Sequence, residues 1–200
     1  MPLQLYDVPK SGHCHRVRLG ARLMGLDLDL VPVMEMEGQR QGAAYLAINP
    51  LGQVPAMVDG DVTLRDSIAI LQHLERVHAP GQGWMPTDAW ERAQVDEWFA
   101  IAAGVMFHGP NMARLIKLFN MPGDHAAAVA QSQKLFDLME AHLQDRAWLV
   151  GSRATLADIA CYSYVAVAGE GDLDLTPYPH IAAWLGRVQG LDGFVDIPRS

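Results

Sequence analysis

The chain has 200 residues, enough for one ordinary domain or two small ones. Half are apolar, and 15 Lys and Arg stand against 23 Asp and Glu for a formal net charge of −8. That is a soluble globular composition, and its sign argues against nucleic acid, whose phosphates call for clustered cations. Two cysteines, Cys14 and Cys161, make no disulfide framework and fit a reducing, cytoplasmic setting. No basic-then-apolar leader and no apolar run near the ~18 residues of a membrane span is present.

In chain order, the alternation over Leu3–Asp7 predicts a strand that Pro9 to Gly12 breaks. His15–Met24 reads as a helix stopped by Gly25, and Leu28–Met34 as a second strand. Residues 35–50 are polar and irregular, with one helical turn around Ala43–Leu46. Ala56–Val58 and Val62–Leu64 flank Asp59-Gly60-Asp61, a hairpin signal, and Ser67–Val77 has helical spacing. Residues 1–78 thus order as an α/β domain, and 79–88, opening on Ala79-Pro80-Gly81-Gln82-Gly83, as a linker. Residues 89–200 are helical throughout: Ala89–Leu118 with a bend at Gly109-Pro110, His125–Leu143, a buried Leu156–Ala168, and Ile181–Val188.

Chemistry gathers at three places in the first half. Ser11-Gly12-His13-Cys14-His15-Arg16 lies between the first strand and first helix, where free N–H groups and the helix dipole favour an anion such as a thiolate. Ser11 can add a hydrogen bond to that anion, or simply cap the helix. Three consecutive candidate ligands diverge too much for one tetrahedral ion, so no metal is expected from His13, Cys14 and His15. Gln53-Val54-Pro55 opens a strand. A cis Pro55 would turn the Val54 backbone outward to pair with an extended peptide, whereas the plain alternative is an edge-strand proline. Asp66-Ser67 begins a helix, where capping competes with holding the carboxylate and ammonium of an amino-acid end. Further along, Thr155-Leu156-Ala157-Asp158 reads as a structural capping box.

Two longer runs, Ile48-Asn49-Pro50-Leu51-Gly52-Gln53-Val54-Pro55-Ala56 and Asp66-Ser67-Ile68-Ala69-Ile70, resemble the glutathione-binding half of the glutathione S-transferase superfamily. Thr155–Ala160 and Tyr178-Pro179-His180-Ile181-Ala182-Ala183-Trp184-Leu185 resemble its helical half, in register over essentially the whole chain. The resemblance implies a thioredoxin-like β-α-β-α-β-β-α domain followed by an all-α domain, and a cytoplasmic, homodimeric detoxification enzyme. Such an enzyme joins the glutathione thiolate to a small hydrophobic electrophile carrying an alkyl or aryl group.

By the same resemblance Ser11 stands at the catalytic serine of theta- and zeta-like members. Pro55 is the cis proline, Val54 pairs with the cysteinyl unit, and Asp66 and Ser67 hold the γ-glutamyl end with Gln53 contributing. Gln39 and Arg40 reach the glycyl carboxylate. The thiol of cysteine-type members falls at His13, which can face the sulfur here, so Cys14 is not expected to be the active thiol. Met106, His108, Asn111 and Arg114 on the long helix are candidates for contact with the electrophile, against core packing for Met106, an ion pair for Arg114 and bonding to backbone freed at the bend for His108. Glutathione is the only co-substrate implied, with no metal. The alternatives are a glutathione-dependent isomerase or peroxidase, or a non-catalytic module that keeps the scaffold for binding.

Overall fold

A computed structural model describes residues 2–199 of the protein. It divides into two compact units, one running to Gln82 and taking back Gly193–Pro198, the other spanning Gly83–Asp192. The return of Gly193–Pro198 differs from the helical assignment of 89–200. His15 Nε2 lies 2.9 Å from Val195 O, which ties this segment to the first helix.

The first unit holds a four-stranded mixed sheet in the order β2-β1-β3-β4. β1 (Leu3–Asp7) pairs parallel with β2 (Leu28–Pro32), in register Leu5 with Leu30. β1 also pairs antiparallel with β3 (Ala56–Asp59), which turns at Gly60 into β4 (Val62–Leu64). Leu3, Leu5 and Asp7 point to the buried side of β1, as period-two alternation requires. Helix α1 covers Gly12–Leu23, starting three residues earlier than the apolar pattern indicates because Ser11 caps it. It ends in a Schellman motif, with Gly25 at φ +73° and Leu26 N–H reaching Ala21 O at 2.9 Å. Helix α2 (Ala43–Ile48) supplies the buried Tyr45. Helix α3 (Ser67–His73) packs on α1 and runs into a π-helical turn, Leu74–His78.

The second unit is helical: α4 (Ala89–Ala103), α5 (Met112–Phe119), α6 (His125–Leu143), α7 (Leu156–Ala166) and α8 (Pro179–Gln189). The long helix expected over 89–118 is interrupted at Gly104 and again by a π-helical turn, Phe107–Asn111, which absorbs Gly109 and Pro110. Pro110 removes a backbone donor there, and Gly109 lets the chain approach α6: a Cβ on it would sit 3.1 Å from Ser132 Oγ. Residues 156–165 of α7 are all buried, between α4 and α8. Its capping box is complete. The Asp158 carboxylate accepts from Thr155 N and Leu149 N, each at 2.9 Å, and from Trp184 Nε1 at 2.9 Å. Among the described residues, no helix is long and apolar enough to cross a membrane.

Candidate active site

The turn after β1 is held by Ser11 N–H donating to Val8 O at 2.9 Å. The Ser11 side chain is half-buried, and its Oγ accepts from Cys14 N–H at 3.3 Å. A hydroxyl has one proton and two lone pairs, so a capping Ser11 still has its proton to give. Among the described residues the Cys14 sulfur also hydrogen-bonds this hydroxyl, but a protonated thiol is a weak acceptor that a thiolate would outcompete. Capping and donation, set against each other by the sequence, are therefore compatible.

The three side chains that follow diverge. Cys14 is fully buried; removal from water, with the Asp7 carboxylate nearby, pushes its thiol up to about 12, so it stays protonated and inert. His15 is buried too, and burial lowers it to about 4. The His13 ring turns towards Arg16 and Ser67. Burial and the Arg16 charge lower it to about 3, so it is a neutral imidazole at physiological pH. Because a guanidinium only donates, Arg16 NH1 at 3.2 Å makes His13 Nδ1 an acceptor and puts its proton on Nε2. His13 thus supplies no positive charge to a thiolate.

Arg16 is a residue that sequence reasoning missed. It is 1% exposed, and its NH1 donates to Ser67 Oγ at 2.8 Å, joining the first turn of α1 to the start of α3. The signal was present. Gly12, Arg16, Leu19 and Gly20 fall at the i, i+4, i+7, i+8 positions of one buried stripe.

At the start of α3, Asp66 Oδ1 accepts from Ile68 N–H and Ala69 N–H, both at 2.9 Å. Asp66 is exposed, and its second oxygen has no partner among the described residues. The Ser67 side chain is buried and committed to Arg16, but its backbone N–H stays open at the positive end of the helix.

The Val54–Pro55 bond is cis, and the Val54 N–H and C=O have no partner among the described residues. Tyr45 OH and Asn49 Nδ2 both donate to Gln53 O, at 2.6 and 2.7 Å, and fix the segment before that bond. The Val54 side chain packs in a cluster with Tyr6, Val8 and Ala56, so the turn leading to Ser11 and the Val54 segment share one apolar support. Gln39 and Arg40 are exposed on a short 3₁₀ turn, Gln39–Gln41. That turn lies against the same segment: a Cβ on Gly52 would be 3.1 Å from Arg40 O.

The second-unit candidates fare differently. Met106, Asn111 and Arg114 are buried, Arg114 Nε donating to Glu170 Oε2 at 2.6 Å, which leaves them little surface for a reactant. His108 is exposed, its ring edge-on to Phe107 at 5.2 Å.

Comparison with known proteins bears on the family of the chain. Residues 11–77 match the family model described as glutathione S-transferase, N-terminal domain, and residues 112–192 the C-terminal domain. The chain is 31% identical to human glutathione S-transferase theta-1 over 96% of its own length and 85% of that protein. It is 36% identical to maize glutathione S-transferase 3, over 78% and 74%. A crystal structure of a glutathione S-transferase from Pseudomonas fluorescens superposes over all of both chains with a TM-score of 0.91 at 32% identity.

Proposed function

This chain belongs to the glutathione S-transferase family, and from that membership we propose that its first unit binds glutathione, ionises the thiol at Ser11 and transfers it to a small hydrophobic electrophile. The observation that carries the reading is the half-buried Ser11 hydroxyl at the start of α1, whose oxygen accepts from Cys14 N–H and whose proton faces nothing stronger than the protonated Cys14 sulfur. A free thiol near 8.5 is a few per cent ionised at neutral pH, and lowering it by about two units takes roughly 2.7 kcal/mol of preferential stabilisation. A hydrogen bond to a charged sulfur supplies about 1.5–3 kcal/mol. The start of the 12-residue α1 adds up to about 1–2. Together these suffice without help from His13, which is neutral.

In this reading the rest of the tripeptide is anchored by groups left open. The Val54 backbone pairs with the cysteinyl unit. The second oxygen of Asp66 takes the γ-glutamyl ammonium, and the Ser67 N–H takes its carboxylate. Gln53 contributes at the γ-glutamyl end, and Gln39 and Arg40 reach the glycyl end. Ser67 then serves through its backbone, while its hydroxyl is the joint to Arg16. His108 is the second-unit candidate we retain for the electrophile. We place the enzyme in the cytoplasm as a homodimer with a detoxifying role. An isomerase, a peroxidase or a non-catalytic module is not favoured, since the human and maize relatives are both named as transferases. Calorimetric titration with glutathione, paired with conjugation assays over aryl halides, epoxides and alkyl halides, tests the proposal. Saturable binding with turnover of at least one class supports it, and binding without any conjugate contradicts it.

A further inference from the structure

We propose that Asp59, His73 and His78 form a binding site for a borderline transition-metal dication, of which Zn²⁺ and Co²⁺ are the type. The site lies within the first unit and uses none of the residues assigned above to glutathione.

Asp59 ends β3 at the hairpin, His73 ends α3, and His78 ends the π-helical turn. In a regular α-helix, residues five apart are about 140° apart around the axis and face different ways. The π-helical turn Leu74–His78 is wider and brings both rings to one carboxylate. Asp59 Oδ2 is 2.8 Å from His73 Nε2 and 2.7 Å from His78 Nε2. The three ligand atoms lie within 4.8 Å of one another, and the rings stand edge to face at 5.8 Å.

Two imidazoles converging through Nε2 on a single oxygen crowd two protons into the place where one cation fits. Around a tetrahedral ion with bonds of about 2.0–2.1 Å, neighbouring ligand atoms are about 3.3 Å apart. The two Asp59–His distances therefore have to open by roughly half an ångström, a movement within reach of side-chain torsions. Each ring would move its proton to Nδ1 and present the Nε2 lone pair. The side chains are 19%, 18% and 28% exposed for Asp59, His73 and His78, close enough to solvent for an ion to enter and for water to complete the shell. An N,N,O donor set selects zinc, cobalt, nickel or copper over calcium or magnesium, which demand more oxygen. The nearby Arg76 is turned aside, with NH2 on Gln72 Oε1 at 3.4 Å.

The test uses the whole chain, stripped with a chelator and free of glutathione, so it is independent of the transferase reading. Zn²⁺ is titrated calorimetrically near neutral pH, and Co²⁺ by its visible absorption bands. The expected result is one saturable equivalent per chain. It should weaken at least about tenfold in His73→Gln, His78→Gln and Asp59→Asn, because loss of a ligand costs no less than loss of a supporting hydrogen bond. It should be unchanged in His180→Gln, a half-buried control in the second unit. In the unaltered protein, Zn²⁺ should shield His73 and His78 from carbethoxylation, a readout that needs no variant to fold. Absence of saturable binding, equal affinity in the His78 variant, or unshielded His73 and His78 at saturating Zn²⁺ would overturn the site and leave the trio as a clasp between hairpin and helix.

Discussion

Replacing Ser11 separates the two tasks assigned to it. Ser11→Ala removes both the acceptor that caps α1 at Cys14 N–H and the proton offered to glutathione sulfur. Losing a hydrogen bond to a charged sulfur costs about 1.5–3 kcal/mol, and each pKa unit is 1.36 kcal/mol, so the bound thiol should rise by about one to two units. Turnover at pH 7 should fall about 3- to 25-fold as the thiolate fraction shrinks. The lost cap should cost about 1 kcal/mol of stability. Ser11→Asp keeps a good cap but has no proton to give and adds a negative charge. It should melt like the parent and yet raise the bound thiol at least as far as Ala does. Thiolate ultraviolet absorbance of the binary complex against pH reads the first quantity, and urea denaturation the second. Parental thiol ionisation in both variants would refute the role of Ser11, whatever happened to stability.

Other consequences follow from the same contacts. Arg16→Met releases the Ser67 hydroxyl and should raise the KM for glutathione about tenfold, the equivalent of one charged hydrogen bond, while changing kcat little; an unaltered KM contradicts the joint between α1 and α3. Asp158→Ala strands the Leu149, Thr155 and Trp184 donors in the core and should destabilise the protein by about 3 kcal/mol or more, with Asp158→Asn recovering part; a parental urea midpoint would show that the carboxylate does not hold the start of α7. His13 and His15, lowered in the folded state to about 3 and 4 against 6.5 for the free group, bind protons only when the chain unfolds. Their contribution is complete above about pH 6.5 and is lost as pH falls towards about 4, at up to about 1.4 kcal/mol per pH unit for each ring. Urea midpoints should therefore drop between neutral pH and pH 5, less steeply in His15→Gln; a flat profile contradicts this.

What could be read from sequence were features made locally. The β3–β4 hairpin follows from Asp59-Gly60-Asp61, the end of α1 from Gly25, and the start of α7 from Thr155 and Asp158, because turn and cap chemistry is settled within four residues. Residues that depend on what another element brings were harder. Arg16 looks like a solvated helix charge until Ser67 arrives from 51 positions away. His73 and His78 look unrelated until a π-helical turn aligns them. Met106, Asn111 and Arg114 stand as candidates for the electrophile on a long helix, with packing the competing reading for Met106 and an ion pair for Arg114, and the structure shows that packing and that ion pair. Gly104 and the Phe107–Asn111 turn change the helix phase, and burial claims all three.

A crystal structure with glutathione bound bears most directly on the central claim. The account predicts the sulfur within hydrogen-bonding distance of Ser11 Oγ, the cysteinyl backbone paired with Val54, and the γ-glutamyl ammonium on the second oxygen of Asp66. A tripeptide seated elsewhere, or a sulfur facing away from the Ser11 hydroxyl, would contradict it.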